Sequence, residues 1–151
     1  ITDRMVHGID FYPTLLELAG NSWLPPAKKH PLDGESFAKF LLNPQRQGKR
    51  SPIFYLFPGY MDVRAQPCVV TIDEIKGERY KLLYFYEADE WELYNLTDDI
   101  GEKMNLAKEM PDVSASLSKK IQVWLSQKHP TWKPKYPISK TSSTPVLPRF
   151  L

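Results

Sequence analysis

The sequence contains a single cysteine, Cys68, so no disulfide bond can form within the chain and the redox compartment stays undecided. No apolar run approaches the roughly 20 residues that a membrane-spanning helix needs. The formal net charge of +2 is too small to indicate a nucleic acid or an anionic membrane as a partner. These absences leave an ordinary globular chain, whose function has to be sought in its motifs.

Groups that could bind a metal are also sparse. The histidines lie far apart, each without a second ligand at metal-binding spacing: His7, His30 and His129. Asp98, Asp99 and Glu102 are close together, but a calcium loop spreads its acidic ligands along a longer segment. We therefore interpret this acidic stretch as a turn and helix-capping segment, and we expect no metal site in the chain.

The chain has 151 residues, 42% of them hydrophobic and 25% charged, which is enough for one core or two small ones. It begins with Ile1 rather than methionine and enters a helical pattern almost at once, without a signal-like segment. We expect a fragment of a longer protein. Any targeting signal would then lie upstream, so these residues do not indicate a location.

Three sections follow one another along the sequence: residues 1–45, 46–130 and 131–151. The first is helical with a proline-rich loop, the second is rich in strands and ends in a helix, and the third is a tail of Pro, Lys, Ser and Thr. We expect the tail to run extended over the surface, with Trp132 and Tyr136 as its anchors.

Residues 10–20 predict a helix in the first section. Asp10 is a suitable N-cap, Pro13 is tolerated in a first turn, and Gly20 suits the left-handed position after the last turn. Apolar side chains occupy most sides of this helix: Phe11, Tyr12, Leu15, Leu16, Leu18 and Ala19. Such a helix requires burial on most sides. We therefore interpret it as the last helix of a larger α/β domain that is missing from this chain.

A second helix is predicted from Asp33, which we interpret as its N-cap, to Pro44, with Glu35 near its positive end. Its apolar face would consist of three residues: Phe37, Phe40 and Leu41. The short basic loops at 28–30 and 46–50 are interpreted as solvated.

The second section predicts a sheet. Its strands are Ile53–Phe57, Cys68–Ile72, Arg79–Tyr86 and Trp91–Leu96. The turns between the last three strands are short, which implies antiparallel neighbours, and Arg79–Tyr86 is apolar on both faces, which predicts a central strand. Asp73 and Glu74 are assigned to a solvated hairpin end. Cys68 is interpreted as a buried strand thiol.

A long helix follows, from Pro111 to the His129–Pro130 pair. Its apolar stripe should lie on the sheet: Val113, Leu117, Ile121 and Trp124. The predicted fold class is therefore α+β, with a small four-stranded antiparallel sheet packed by a long C-terminal helix. The terminal helices of a missing α/β domain precede it.

Five segments in this order carry a resemblance to a known family: DFYPTLLELAG (10–20), LDGESF (32–37), FPGY (57–60), RYKLLYFYE (79–87) and WELYNLTDDIGEKMNLA (91–107). They resemble the C-terminal portion of the sulfatase family, of the arylsulfatase A type, in the alkaline-phosphatase-like superfamily. The resemblance covers roughly residues 5–130, and none of the five segments is catalytic in that family.

The resemblance implies that the chemistry lies upstream. The nucleophile of a sulfatase is a formylglycine made from the Cys or Ser of a Cys/Ser-x-Pro-x-Arg run, and a calcium ion is held by Asp and Asn oxygens. Cys68 lacks the following Pro and Arg. The resemblance therefore implies no catalytic residue and no metal ligand here, and an isolated chain without activity. Its partner would be the missing N-terminal catalytic domain, and the parent's substrate a sulfated small molecule or glycan. The parent would be periplasmic, secreted or lysosomal.

The segment from Phe54 to Arg64 departs from the family. Leu56 and Gly59 stand where histidines are frequent in relatives, which predicts altered substrate recognition. Tyr60, Arg64 and His7 are candidates for a substrate rim, because an arginine can bind a sulfate through two hydrogen bonds. The alternative for Arg64 is an exposed surface arginine. Asn95-Leu96-Thr97 also matches the N-glycosylation pattern, at a predicted strand end.

Two other functions remain open on the sequence. The parent could be another hydrolase of the same superfamily, a phosphodiesterase or phosphonate hydrolase, which the upstream nucleophile would distinguish. The chain could also be a stand-alone, non-catalytic binding module. In that case the isolated chain should be monomeric, whereas a missing domain predicts an exposed apolar patch or self-association through it.

Overall fold

A computed structural model of the chain describes residues 4–20, 32–46, 48–59, 66–127 and 149–150. The chain forms two compact units, Ile1–Ser51 and Pro52–Leu151. Within the described ranges, no helix combines the length and the apolar character that crossing a bilayer requires.

The first unit begins with a short 3₁₀ turn, Gly8–Asp10, that continues into helix α1, Phe11–Leu18. Pro13 lies in the first turn of α1 as predicted. Gly20 has a φ of +73°, which confirms the left-handed residue expected after the last turn. Asp10 lies at the N-cap position of α1 as predicted, but its side chain makes no capping hydrogen bond to α1.

Helix α2 is short, Ala38–Leu42, and the prediction that Asp33 caps it is wrong. The residues before α2 donate their backbone amides to the 3₁₀ turn and to α1 instead of starting a helix. The amide of Glu35 donates to Asp10 Oδ1 at 2.9 Å, and the amide of Phe37 donates to Thr14 Oγ1 at 3.0 Å. These bonds hold residues 35–37 against α1, so the helix begins only after them.

The second unit contains a four-stranded antiparallel sheet in the order β1-β2-β3-β4. Its strands are β1 Ile53–Phe57, β2 Cys68–Ile75, β3 Glu78–Phe85 and β4 Glu90–Asn95. The sheet confirms the predicted fold class, and β3 is an interior strand as expected. Lys76 and Gly77 join β2 to β3 with φ values of 52° and 86°, which is the backbone of a tight two-residue hairpin.

Helix α3, Pro111–Ser126, packs on one face of this sheet. Its fully buried residues Leu117 and Ile121 join the main core with Leu82 and Leu93 of the sheet. Trp124 of α3 stacks on Phe54 of β1 with ring centroids 5.0 Å apart. The predicted stripe is confirmed, and the predicted helix end at His129–Pro130 lies outside the described residues.

The opposite face of the sheet carries a second apolar cluster. Its buried members are Val70, Leu83 and Tyr94, and the side chains of Tyr55 and Phe57 stack beside them with centroids 6.0 Å apart. Partly buried side chains of the same face complete it: Cys68, Ile72, Phe85 and Leu96. Cys68 is therefore a half-buried strand thiol, close to the predicted role.

Candidate functional site

The first unit contains a buried ion pair between Asp10 and Arg50. Arg50 donates from Nε to Asp10 Oδ2 and from Nη2 to Asp10 Oδ1, both at 2.7 Å. Asp10 is 1% exposed and Arg50 is 5% exposed. This two-bond geometry gives the guanidinium–carboxylate pair directionality as well as charge neutralisation. The prediction that the loop at 46–50 is solvated is therefore wrong for Arg50.

Backbone amides satisfy the rest of the Asp10 carboxylate. His7 N–H donates to Oδ2 at 2.8 Å, and Glu35 N–H donates to Oδ1 at 2.9 Å. Burial raises the pKa of Asp10, but the bonds from Arg50, Glu35 and His7 outweigh it and lower the pKa from 3.8 to about 2. One ionised carboxylate thus joins the 3₁₀ turn, the segment before α2 and the loop before β1.

The His7 side chain has a local role in this arrangement. Its Nδ1 accepts a hydrogen bond from Ile9 N–H at 3.2 Å and so caps the 3₁₀ turn. His7 stays a candidate for the substrate rim, because it is only half-buried. The hydrogen bond from its backbone amide to the Asp10 carboxylate fixes the backbone at this position.

The other two rim candidates, Tyr60 and Arg64, lie outside the described residues. Two nearby positions, Leu56 and Gly59, are among the described residues, and their surroundings differ. Leu56 packs against the main core on the α3 side of the sheet, so a histidine there would place a polar ring among apolar side chains. Gly59 is exposed, and a Cβ built on it meets nothing within 4 Å. Only the second position could accept the family's histidine without repacking.

One thiol and three tyrosines of the second unit have raised pKa values, which favour their neutral forms. Burial raises the pKa of the Cys68 thiol, which keeps it from being a nucleophilic thiolate. A hydrogen bond from Tyr80 to Glu78 and burial raise the pKa of Tyr80 to about 12. Burial and a hydrogen bond to a carboxylate do the same for Tyr84 and Tyr94. These groups are suited to holding structure together rather than to transferring protons near neutral pH.

The acidic stretch after β4 forms a turn, as predicted, but the predicted helix-capping role is wrong, because the next helix begins only at Pro111. Asp99 Oδ2 accepts from the backbone amides of Lys103 and Met104 at 2.7 and 2.9 Å. Glu102 forms an ion pair with Lys81 of β3, with 2.8 Å from Nζ to each carboxylate oxygen. In the described part of the chain, no group of three or more His, Cys, Asp or Glu side chains could hold a metal ion.

Asp73 is not at a solvated hairpin end, so that prediction is wrong. Its side chain is fully buried and forms an ion pair with Lys120 of α3. Its Oδ1 also accepts from Glu74 N–H at 2.7 Å. Asp73 lies on the sheet face that α3 covers, in alternation with Val69 and Thr71, and this period of two is the signal that could have revealed it.

The side chain of Asn95, the acceptor residue of the N-glycosylation pattern, is hydrogen-bonded within the chain. Asn95 Nδ2 donates to Glu78 and to Asp98, each at 3.2 Å, and Asn95 Oδ1 accepts from Thr97 N–H at 3.0 Å. The amide that a glycan would modify is therefore already hydrogen-bonded on a buried side chain.

Comparison with known proteins by sequence gives one family. The family described as N-sulphoglucosamine sulphohydrolase, C-terminal, matches residues 1–128. A curated sulfatase from Formosa agariphila is 42% identical over 131 residues, which are 82% of this chain and 24% of that protein.

Solved structures with a similar fold include two glycan-related proteins. Ps i-CgsB, in complex with k-i-k-neocarrahexaose, aligns with a TM-score of 0.60 at 22% identity, over 87% of this chain and 27% of that chain. BT1596, a 2-O GAG sulfatase, aligns with a TM-score of 0.56 at 24% identity, over 78% and 24%. At such identities the likeness shows the fold. The chain spans about a quarter of the length of these relatives.

Proposed function

The chain belongs to the N-sulphoglucosamine sulphohydrolase C-terminal family of sulfatases, and from that premise we propose that it is the C-terminal lobe of a sulfuric ester hydrolase. In this proposal the lobe carries no catalytic group. It packs against an N-terminal catalytic domain and contributes part of the wall of the substrate pocket.

The observation that carries this proposal is the exposed apolar face of α1. Phe11, Leu15 and Leu18 recur at helical spacing and are 54%, 62% and 45% exposed, and Tyr12 beside them is 55% exposed. An apolar face of this kind is typical of a surface that another domain covers. The catalytic domain of a parent sulfatase is the occupant that we propose.

The chemistry that we assign to the parent needs groups outside this chain. A formylglycine nucleophile and a calcium ion that polarises the sulfate ester would belong to the catalytic domain. Among the described residues, no group of three or more His, Cys, Asp or Glu side chains could hold such a cation. Their part is to hold the lobe rigid.

For the substrate we propose a sulfated glycan or a smaller sulfated molecule. Support comes from proteins that share the fold. One is a 2-O GAG sulfatase, and another was solved with a bound neocarrahexaose. We propose a periplasmic, secreted or lysosomal location for the parent, in line with the family.

The experiment compares the full-length parent with the isolated 151-residue chain. Sulfate release from 4-nitrophenyl sulfate and from a panel of sulfated disaccharides is measured for both. We expect release by the parent and none by the isolated chain, because the nucleophile lies upstream. Turnover by the isolated chain would contradict the proposal. Hydrolysis of a phosphodiester or phosphonate by the parent, in place of sulfate esters, would favour the other hydrolase class.

The substrate rim is tested by Arg64→Ala in the full-length parent. If Arg64 binds an anionic group of the substrate, KM should rise by about tenfold or more while kcat changes less, since a charge-assisted hydrogen bond to the ground state is lost. Arg46→Ala is the matched control, because Arg46 is an exposed loop arginine. Equal KM values for the Arg64→Ala and Arg46→Ala variants would exclude Arg64 from the substrate rim. The KM values of Tyr60→Phe and His7→Ala test the other two candidates in the same way.

A further inference from the structure

The residues at the far end of the chain contact the β3–β4 end of the sheet. The indole Nε1 of Trp91 donates a hydrogen bond to the backbone carbonyl of Arg149 at 3.0 Å. The guanidinium of Arg149 forms an ion pair with Asp89 at 3.1 Å between Nη1 and Oδ2. The bond between Trp91 and Arg149 joins residues that are 58 positions apart.

Phe150 adds an apolar contact to these polar ones. Its half-buried side chain packs against the main core cluster, to which Tyr84 belongs. The carbonyl and the side chain of Arg149 and the ring of Phe150 therefore each contact another part of the second unit. Such a combination, with backbone bonds for affinity and side-chain contacts for selectivity, is how proteins recognise peptides.

We propose that Tyr84, Asp89 and Trp91 form a binding site for an arginine–phenylalanine dipeptide, and that the chain's own Arg149–Phe150 occupies it.

The site is held in shape by its own members. Tyr84 OH donates to Asp89 Oδ1 at 2.6 Å, and the rings of Tyr84 and Trp91 lie 4.9 Å apart. Asp89 has a φ of 55° in the tight turn between β3 and β4, which directs its carboxylate back towards Tyr84. The groups that meet the dipeptide are thus fixed by contacts that do not involve it, as preorganised recognition requires.

The contributions within the dipeptide are unequal. The Arg149 side chain is 84% exposed and Asp89 is 37% exposed, so solvent screens their ion pair and it adds selectivity more than affinity. The indole bond to the carbonyl and the burial of the Phe150 ring carry more. We expect Phe150→Ala to weaken docking more than Arg149→Lys.

Trypsin tests this proposal on the intact chain, because it cleaves after arginine and must reach the Arg149 carbonyl that Trp91 binds. The rate of cleavage between Arg149 and Phe150 is measured by mass spectrometry, relative to a free peptide of residues 142–151. We expect the bond in the chain to be cut at least about tenfold more slowly than in the peptide. Trp91→Phe, which keeps an aromatic ring but removes the indole N–H, should raise the rate severalfold.

Asp89→Asn should also raise the rate, whereas Glu90→Gln, an adjacent exposed carboxylate, should leave it unchanged. Circular dichroism of each variant separates loss of docking from loss of the sheet. Cleavage of the wild-type bond as fast as in the free peptide would overturn the proposal, as would unchanged rates in folded Trp91→Phe and Asp89→Asn. Protection that disappears on dilution would assign the dipeptide to a second copy and overturn the assignment to the chain's own residues.

Discussion

At the scale of single residues, Asp10 shows how one side chain can hold a unit together. Its buried carboxylate accepts from the Arg50 guanidinium and from two backbone amides at distances of 2.7 to 2.9 Å. A buried charge without partners is costly, and here every lone pair that matters has a donor. The pair therefore stabilises the first unit only as long as Asp10 is ionised.

The pH dependence of this contribution follows from the lowered pKa. The pKa of Asp10 falls from 3.8 to about 2 on folding, so the stabilisation is fully present above about pH 4 and is lost as pH falls from about 4 towards 2. Asp10→Asn should lower the free energy of unfolding by about 3 kcal/mol at pH 7, because Arg50 stays buried without its counter-ion. Urea unfolding measures it.

The matched control for this change is Glu17→Gln, on an exposed position of α1. It should change the free energy of unfolding by less than about 0.5 kcal/mol. The difference between wild type and Asp10→Asn should shrink as pH is lowered to 2. A difference that is independent of pH would contradict the role given to the ionised carboxylate.

Thr71 is a residue whose replacement should stabilise the protein. It is fully buried between the sheet and α3, and its hydroxyl has no hydrogen-bond partner in the part of the chain that the structure describes. A buried unsatisfied hydroxyl costs about 1–3 kcal/mol. Thr71→Val should therefore raise the free energy of unfolding by about 1 kcal/mol, measured by denaturant titration. Thr97→Val is the contrast, since the Thr97 hydroxyl accepts from Arg79 N–H at 2.9 Å and its loss should be destabilising.

The residues that the sequence assigns wrongly share one property. Arg50 and Asp73 are charged, and both were expected in solvent, because charged residues are seldom buried unless paired. Their partners, Asp10 and Lys120, are 40 and 47 positions away in sequence. Local patterns carry no information on such pairs, so the sequence predicts the turn signals near them but not the buried ion pairs.

At the scale of elements, the strands and their turns follow closely from the sequence. β1 has the predicted bounds, and the predicted starts of β3 and β4 differ by one residue from the observed ones. Alternation of side chains and the Lys76-Gly77 turn are local signals, which is why they suffice. The predicted start of helix α2 is wrong because the amides of Glu35 and Phe37 donate to Asp10 and Thr14. The Asp33 cap signal does not reveal these tertiary contacts.

The attachment of α3 to the sheet gives an element-level prediction. Asp73 of β2 is fully buried beneath Lys120 of α3, which is 37% exposed. Lys120→Met should lower the free energy of unfolding by about 1–3 kcal/mol, because the Asp73 carboxylate then lacks its cation. Lys119→Met, on the exposed neighbour, should have little effect. The double variant Asp73→Asn/Lys120→Met should lose less than the sum of the single variants, and additive losses would contradict a direct coupling.

At the scale of the whole molecule, the chain spans about a quarter of the length of the sulfatase that it matches. The family could be inferred from five short segments in order, since those segments include helix α1, most of strands β3 and β4 and the turns beside them. The predicted substrate rim, in contrast, stays a prediction. Its candidates Tyr60 and Arg64 lie outside the described residues, and His7 is engaged in capping a 3₁₀ turn.

The exposed face of α1 gives the last prediction. If a catalytic domain covers Phe11, Leu15 and Leu18 in the parent, the isolated chain should self-associate through them, because water-exposed apolar surface is buried wherever a partner is available. Leu15→Glu should reduce that self-association in analytical ultracentrifugation. In the full-length parent, the same change should weaken the contact between the domains and lower the thermal stability. Ile100→Glu is the control, since Ile100 is 79% exposed in the second unit and far from α1 in sequence. An isolated chain that is monomeric at high concentration, with Leu15→Glu silent in the parent, would show that this face needs no cover and would favour a stand-alone binding module.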